Sequence, residues 1–179
     1  SHRYEPLRSP GLRGHPSLMR ENVHEEPGYT GILPPDARLP TITIQTLDDG
    51  YAALNSPLDE IDFVSLGCPH STLADIERVA VLLDGKRVRI TLWITTSRHV
   101  RLLAQQQGLV DRIEAAGGKV LADTCMVVAP VEEMGFKAMA TNSAKAAFYG
   151  PTHSRLQRRF GTLEQCIEVA LTGRWAGLR

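Results

Sequence analysis

The stretch Ile61-Asp-Phe-Val-Ser-Leu-Gly-Cys-Pro-His-Ser71 decides the fold. Its first half, Ile61–Leu66, is a short apolar run of strand-forming residues. Gly67 permits a close turn and Pro69 fixes the chain after it. Beyond Ser71 the period changes. Leu73, Ile76, Val79, Ala80 and Leu83 recur at helical spacing, with Ser71 or Thr72 available as N-cap. Strand, glycine loop and amphipathic helix form the first half of a βαβ unit.

The same alternation continues downstream. Val88–Thr95, Lys119–Ala122 and the shorter run Lys137–Thr141 read as further strands. Ser97 can cap a helical region that Gly108 interrupts, Leu109, Val110 and Ile113 resume, and Gly117-Gly118 stops. Asn142 or Ser143 can cap a short helix to about Tyr149, which Gly150-Pro151 would end. Thr162 with Gln165 forms a capping-box pattern, and Leu163, Cys166, Ile167, Ala170 and Leu171 share one helix face before Gly173. The prediction is an α/β fold, a mostly parallel sheet with helices on both faces.

Upstream the composition differs. Seven of the eleven prolines lie in residues 1–40, among scattered Arg, Gly and His. Such a segment cannot bury enough surface to offset its ordering entropy unless it drapes over a partner. We read residues 1–40 as an irregular arm and 41–179 as the α/β domain. Thr41-Ile-Thr-Ile44 can add a short strand before a helical stretch around Asp49–Leu54.

The bulk properties exclude several classes. A chain of 179 residues with 42 % apolar content can build one core. Twenty basic residues balance twenty acidic ones, so no electrostatic argument favours nucleic acid or an anionic membrane. No apolar run is long enough to span a bilayer. The basic, proline-rich start lacks the apolar segment of a secretory signal, and an initial Ser suggests processing or a cut edge. Three cysteines, an odd number far apart, fit a reducing cytoplasm.

Ligands of parallel sheets gather where strands end, which selects the loops after Leu66, Ala122 and Ala140. In the first, Cys68 precedes a helix, where negative charge is favoured, and His70 stands beside it as a proton carrier or ligand. A buried cysteine in a polar turn explains it about equally well. The second, Asp123-Thr-Cys-Met126, repeats the arrangement of a strand followed by a cysteine. Two thiolates converging on one crevice would suit an iron–sulfur cluster or a soft metal, with a disulfide as the rival. Cys166 lies on an apolar stripe and reads as core.

The third loop, Thr141-Asn-Ser-Ala-Lys145, sets Lys145 in the first turn of a helix. A cation there is disfavoured, unless an anion is held jointly by the backbone N–H groups, the hydroxyls and the ammonium. An exposed lysine is the plain alternative. His2, His15 and His24 lack metal-ligand spacing, and His99 reads as solvated. Arg155, Arg158 and Arg159 fit either an anion site or a charged surface turn.

Gly67-Cys-Pro-His70, Asp123-Thr-Cys125 and Thr141-Asn-Ser-Ala-Lys145, in this order and spacing, resemble the aconitase X family. Gly31-Ile-Leu-Pro-Pro-Asp-Ala37 resembles a degenerate form of another family segment, and Phe160–Gly173 resembles its last helix. The likeness covers roughly residues 31–175. It implies an aconitase-like three-layer domain in a hydro-lyase that removes a hydroxyl as water with an iron–sulfur cluster. Carried over, Cys68 and Cys125 would bind the cluster. Thr141, Asn142, Ser143 and Lys145 would bind the anionic end of the substrate, with His70 and Lys145 in catalytic roles.

The family's large subunit is expected to be about twice this length. Its amino-terminal half, with a third cysteine ligand, and a small swivelling domain or subunit carrying a serine base are expected as partners. The chain alone would then be inactive. The implied substrate is a small anionic hydroxy acid, cis-3-hydroxy-L-proline in preference to phosphomevalonate. A non-catalytic α/β module that binds an anion or a subunit is the alternative of a different class.

Overall fold

The structure is a computed structural model and describes residues 43, 44 and 46–176. The irregular arm expected over 1–40, with its three histidines and the segment 31–37, lies outside the described residues. So do Thr41 and Ile42 of the expected short strand. Thr43 and Ile44 carry no strand, and both are exposed. The chain divides into two units after Ile44, and the described helices and strands all belong to the second.

These elements run α1 (Asp48–Ala53), β1 (Phe63–Leu66), α2 (Leu73–Leu82), β2 (Thr91–Thr96), α3 (Arg98–Gln106), α4 (Leu109–Ala115), β3 (Lys119–Ala122), β4 (Ala138–Thr141), α5 (Ala144–Ser154), β5 (Gln157–Phe160) and α6 (Leu163–Thr172). The five strands form one sheet in the order β3-β2-β1-β4-β5, and all four pairings are parallel.

Strand alternation sorts the core into two layers. Val64, Leu66, Leu92, Ile94, Val120 and Ala140 point to one face, where α2, α3, α4 and α6 supply Ile76, Ala104, Ile113 and Ile167. Phe63, Trp93 and Met139 point to the other. There the cover is α5, through Ala146, and the irregular segment 123–137, through Met126, Val131 and Phe136. Phe136 stacks on Phe63, with ring centroids 4.6 Å apart.

Handedness explains this division. The chain steps from β1 to β2 to β3 in one direction, then returns past β1 to β4 and β5. Right-handed crossovers put outgoing and returning connections on opposite faces.

The caps read from sequence form. Thr72 and Thr162 each close a capping box, with Asp75 and Gln165 respectively, and Ser97 accepts from the N–H of Val100. Gly173 ends α6 in the left-handed region. Two expectations need correction. The helix after Ser143 continues through Gly150-Pro151 to Ser154. A Cβ on Gly150 would stand 3.3 Å from the Met139 methyl, so the bare glycine lets α5 lie close on β4 instead of ending it. Arg158 and Arg159, considered as a surface turn, belong to the edge strand β5. No described helix is long and apolar enough to cross a membrane.

Candidate functional site

The order of strands reverses between β1 and β4, so a crevice opens beyond their carboxyl ends. A cavity of about 480 Å³ lies there. Among its walls are Cys68, His70, Asn142, Ser143 and Lys145. Two of the three loops selected from sequence therefore meet, those after β1 and β4.

The loop after β1 is fixed from below by β2. Gly67 has φ +91°, and a Cβ there would fall 2.1 Å from the Thr95 carbonyl oxygen. Only glycine fits without displacing backbone. The Thr95 hydroxyl donates to the Gly67 carbonyl at 2.6 Å, and that of Thr96 donates to the Ser71 carbonyl at 2.6 Å. Cys68 is 9 % exposed, lining the cavity while packing with Met126 and Met139. Helix α2 begins only at Leu73 with Thr72 as its cap, so Cys68 stands in the loop and not at a helix terminus. His70 is exposed.

The loop after β4 is built around Ser143. Its hydroxyl accepts from the Ala146 N–H at 3.1 Å, capping α5, and donates to the Cys68 carbonyl. Its single proton is thereby committed within the protein. Thr141 is fully buried and does not line the cavity; its hydroxyl accepts from the Ser143 N–H at 3.2 Å. Asn142 and Lys145 are exposed at the cavity wall. Lys145 occupies the first turn of α5 and makes no ion pair among the described residues.

The loop after β3 comes less close. Cys125 follows β3, which is separated from β1 by β2, so the two cysteine loops leave next-but-one strands rather than neighbours. Cys125 is partly exposed and does not line the cavity. Its neighbour Met126 shares an apolar cluster with Cys68. Cys166 is fully buried, and burial pushes its thiol up to about 12. All three cysteines are free.

The three arginines considered for an anion site lie elsewhere. Arg155 pairs with Glu132 at 3.2 Å, Arg158 donates to the Ala53 carbonyl at 2.7 Å, and Arg159 donates to that of Leu58 at 2.6 Å. Thr95 and Thr96 were not among the residues singled out from sequence. Two hydroxyl residues closing an otherwise apolar buried strand were the available signal.

Residues 61–172 match the family model of the aconitase X third domain. The chain belongs to the aconitase X family. Phosphomevalonate dehydratase large subunit from Methanocaldococcus jannaschii is 40 % identical over 128 residues, which are 72 % of this chain and 32 % of that protein. Cis-3-hydroxy-L-proline dehydratase from Hypocrea jecorina is 35 % identical over 142 residues, 76 % of this chain and 23 % of its own length. A crystal structure of Thermococcus kodakaraensis aconitase X in its holo-form superposes with a TM-score of 0.67 at 34 % identity, covering 80 % of this chain and 37 % of that one. The chain thus spans about a third or less of the curated aconitase X proteins it matches, where about half was expected.

An iron–sulfur cluster, which the aconitase relationship suggests, calls for thiolate ligands. Among the described residues no group of three or more metal-ligating side chains converges. Cys68 and Cys125 nevertheless fit as two members of such a set. Both are unpaired, and both follow strands at the carboxyl edge of one sheet.

Proposed function

We propose that this chain is the third domain of an aconitase X dehydratase, contributing part of the site where a small hydroxy acid loses water. The observation that carries this reading is the cavity at the strand-order reversal, where Cys68, His70, Asn142 and Lys145 meet in a member of this family. Cys68 and Cys125 would hold the cluster together with a thiolate from outside this chain. When bound, the cluster supplies a Lewis acid that makes a poor leaving group, the hydroxyl, easier to expel.

The remaining work falls to the chain's own groups. Lys145 and the free N–H groups opening α5 hold a carboxylate, answering the unfavourable placement of a cation in that turn. Asn142, with both donor and acceptor atoms, orients it. His70 carries a proton at a ring nitrogen on the cavity's open side. Ser143 shapes the loop, its hydroxyl being spent on two backbone partners, and the buried Thr141 braces it by accepting the Ser143 N–H. The proton-abstracting group and the third thiolate come from the rest of the large subunit and a small swivelling domain or subunit, in the cytoplasm.

We favour cis-3-hydroxy-L-proline as substrate. Lys145 is the cavity's lone lysine or arginine among the described residues, enough for a carboxylate and sparse for a phosphate dianion. Phosphomevalonate is the alternative, since relatives that act on it are 31–42 % identical, a range that includes the 35 % and 36 % of the hydroxyproline enzymes.

Anaerobic purification with iron analysis and an ultraviolet–visible spectrum tests the proposal. Iron with a cluster absorption band, lost in Cys68→Ser and Cys125→Ser, supports it. A folded chain that stays colourless and iron-free after reconstitution together with the family's other parts points instead to a non-catalytic module. Turnover assays on the chain joined to the family's other parts then separate the two substrates.

A further inference from the structure

We propose that Thr95 and Thr96, at the carboxyl end of β2, are positioning residues that set the two cysteine-bearing loops against one another. The inference rests on reading Cys68 and Cys125 as ligands. In the sheet, β2 alone adjoins both β1 and β3, the strands that lead into these loops. Thr95 bonds to the loop after β1, and Thr96 bonds to the loops on both sides. Toward Cys68, the Thr95 hydroxyl donates to the Gly67 carbonyl and the Thr96 hydroxyl to the Ser71 carbonyl. The Ser71 N–H returns a bond to the Thr95 carbonyl at 2.8 Å. Toward Cys125, the Asp123 N–H donates to the Thr96 carbonyl at 2.9 Å, and the Asp123 carboxylate accepts the Arg98 N–H at 2.9 Å. Asp123 adopts φ +55°, a conformation unusual for a side chain other than glycine.

Both threonines are buried, at 1 % and 0 % exposure. Valine has nearly the same shape and suits a strand buried on both faces. Burying a hydroxyl there is unfavourable unless it is bonded. What the hydroxyls add is attachment. They hold the Cys68 loop at two carbonyls, while the Thr96 carbonyl holds the start of the Cys125 loop. One strand end thereby fixes both loops, and with them the relative placement of the two thiols.

The test measures alkylation of each cysteine by iodoacetamide in the folded, reduced chain, resolved by peptide mass analysis. Thr96→Val is expected to raise the Cys68 rate about tenfold, the equivalent of ~1.4 kcal/mol of easier local opening. Cys125 and Cys166 should keep their rates, and Thr96→Ser should restore that of Cys68. Asp123→Ala is expected to raise Cys125 alone. Val120→Ala, a core truncation on β3 with no hydroxyl bond, should give no selective rise.

An unchanged Cys68 rate in Thr96→Val overturns the proposal, as does a rise of all three cysteines together without rescue by serine. If Thr96→Val unfolds the chain, shown by labelling of Cys166, then Thr95→Val with Thr95→Ser decides by the same criteria. Reconstitution with iron and sulfide separates this proposal from the reading beneath it. A wild-type chain that takes up no iron even when joined to the family's other parts removes the ligand assignment and leaves the loop placement to the alkylation result. Iron lost in both Cys→Ser variants but fully retained in both Thr→Val variants overturns the positioning role alone.

Discussion

The Ser143 hydroxyl donates to the Cys68 backbone carbonyl, joining the start of α5 to the loop after β1 across the reversal of strand order. The same oxygen accepts the Ala146 N–H, so one side chain caps a helix and closes the crevice at its base. The two loops that wall the cavity are therefore a single bonded unit.

Ser143→Ala removes both bonds at once. A lost N-cap and an orphaned carbonyl together should lower stability by about 1–3 kcal/mol. Denaturant unfolding checks this as a fall in midpoint at constant slope. An unmoved midpoint would mean that the hydroxyl holds neither partner.

Gly67→Ala should be more damaging. A methyl group at φ +91° and 2.1 Å from the Thr95 carbonyl oxygen must push the loop away from β2. We expect a loss of ~2–4 kcal/mol, with Cys68 becoming easier to alkylate. A variant as stable as the parent would show that the loop is free to move.

Lys145→Met should leave unfolding unchanged, because the side chain is exposed and belongs to no apolar stripe. In the assembled enzyme it should weaken an anionic substrate analogue by more than about tenfold, since the ligand's charge would lose its partner. Calorimetric titration of a carboxylate inhibitor measures it. Equal affinity in parent and variant would place the anion elsewhere.

Cys166 links stability to alkaline pH. The unfolded thiol ionises around 9.0, whereas burial, with Glu164 adding to it, keeps the folded thiol protonated up to about 12. The folded state therefore binds more protons across that interval. This contribution is complete below pH 9 and lost as pH rises towards 12. Denaturant midpoints at pH 8 and pH 10 should diverge in the parent and converge in Cys166→Ala. Equal divergence in both would assign the effect to another group.

Much of this architecture is legible in the chain because local signals agree. Ile61–Leu66 followed by Gly67 and a helical stripe can be read only as strand, turn and helix, and the caps at Thr72, Ser97 and Thr162 mark helix starts independently of packing. β5 was hidden because Gln157-Arg-Arg-Phe160 is polar. Its arginines extend to backbone carbonyls of the segment before β1, a long-range partnership that no local pattern encodes. Gly150-Pro151 reads as a stop by propensity, yet tertiary packing on Met139 overrides it. Strand order was equally invisible. The motifs around Cys68 and Cys125 look equivalent along the chain, and only the sheet shows that β2 comes between them.

That intervening strand works as a ruler. Two inter-strand spacings of ~4.8 Å put the ends of β1 and β3 roughly 10 Å apart. Backbone ladders on both sides of β2 keep that length from shrinking. Cys68 and Cys125 follow their strands by a few residues, so the loops alone must close the gap. A single ion with metal–sulfur bonds of ~2.3 Å bridges little of it, whereas a multi-atom inorganic core bridges more. The sheet would thus select its guest by breadth, before any ligand chemistry is consulted.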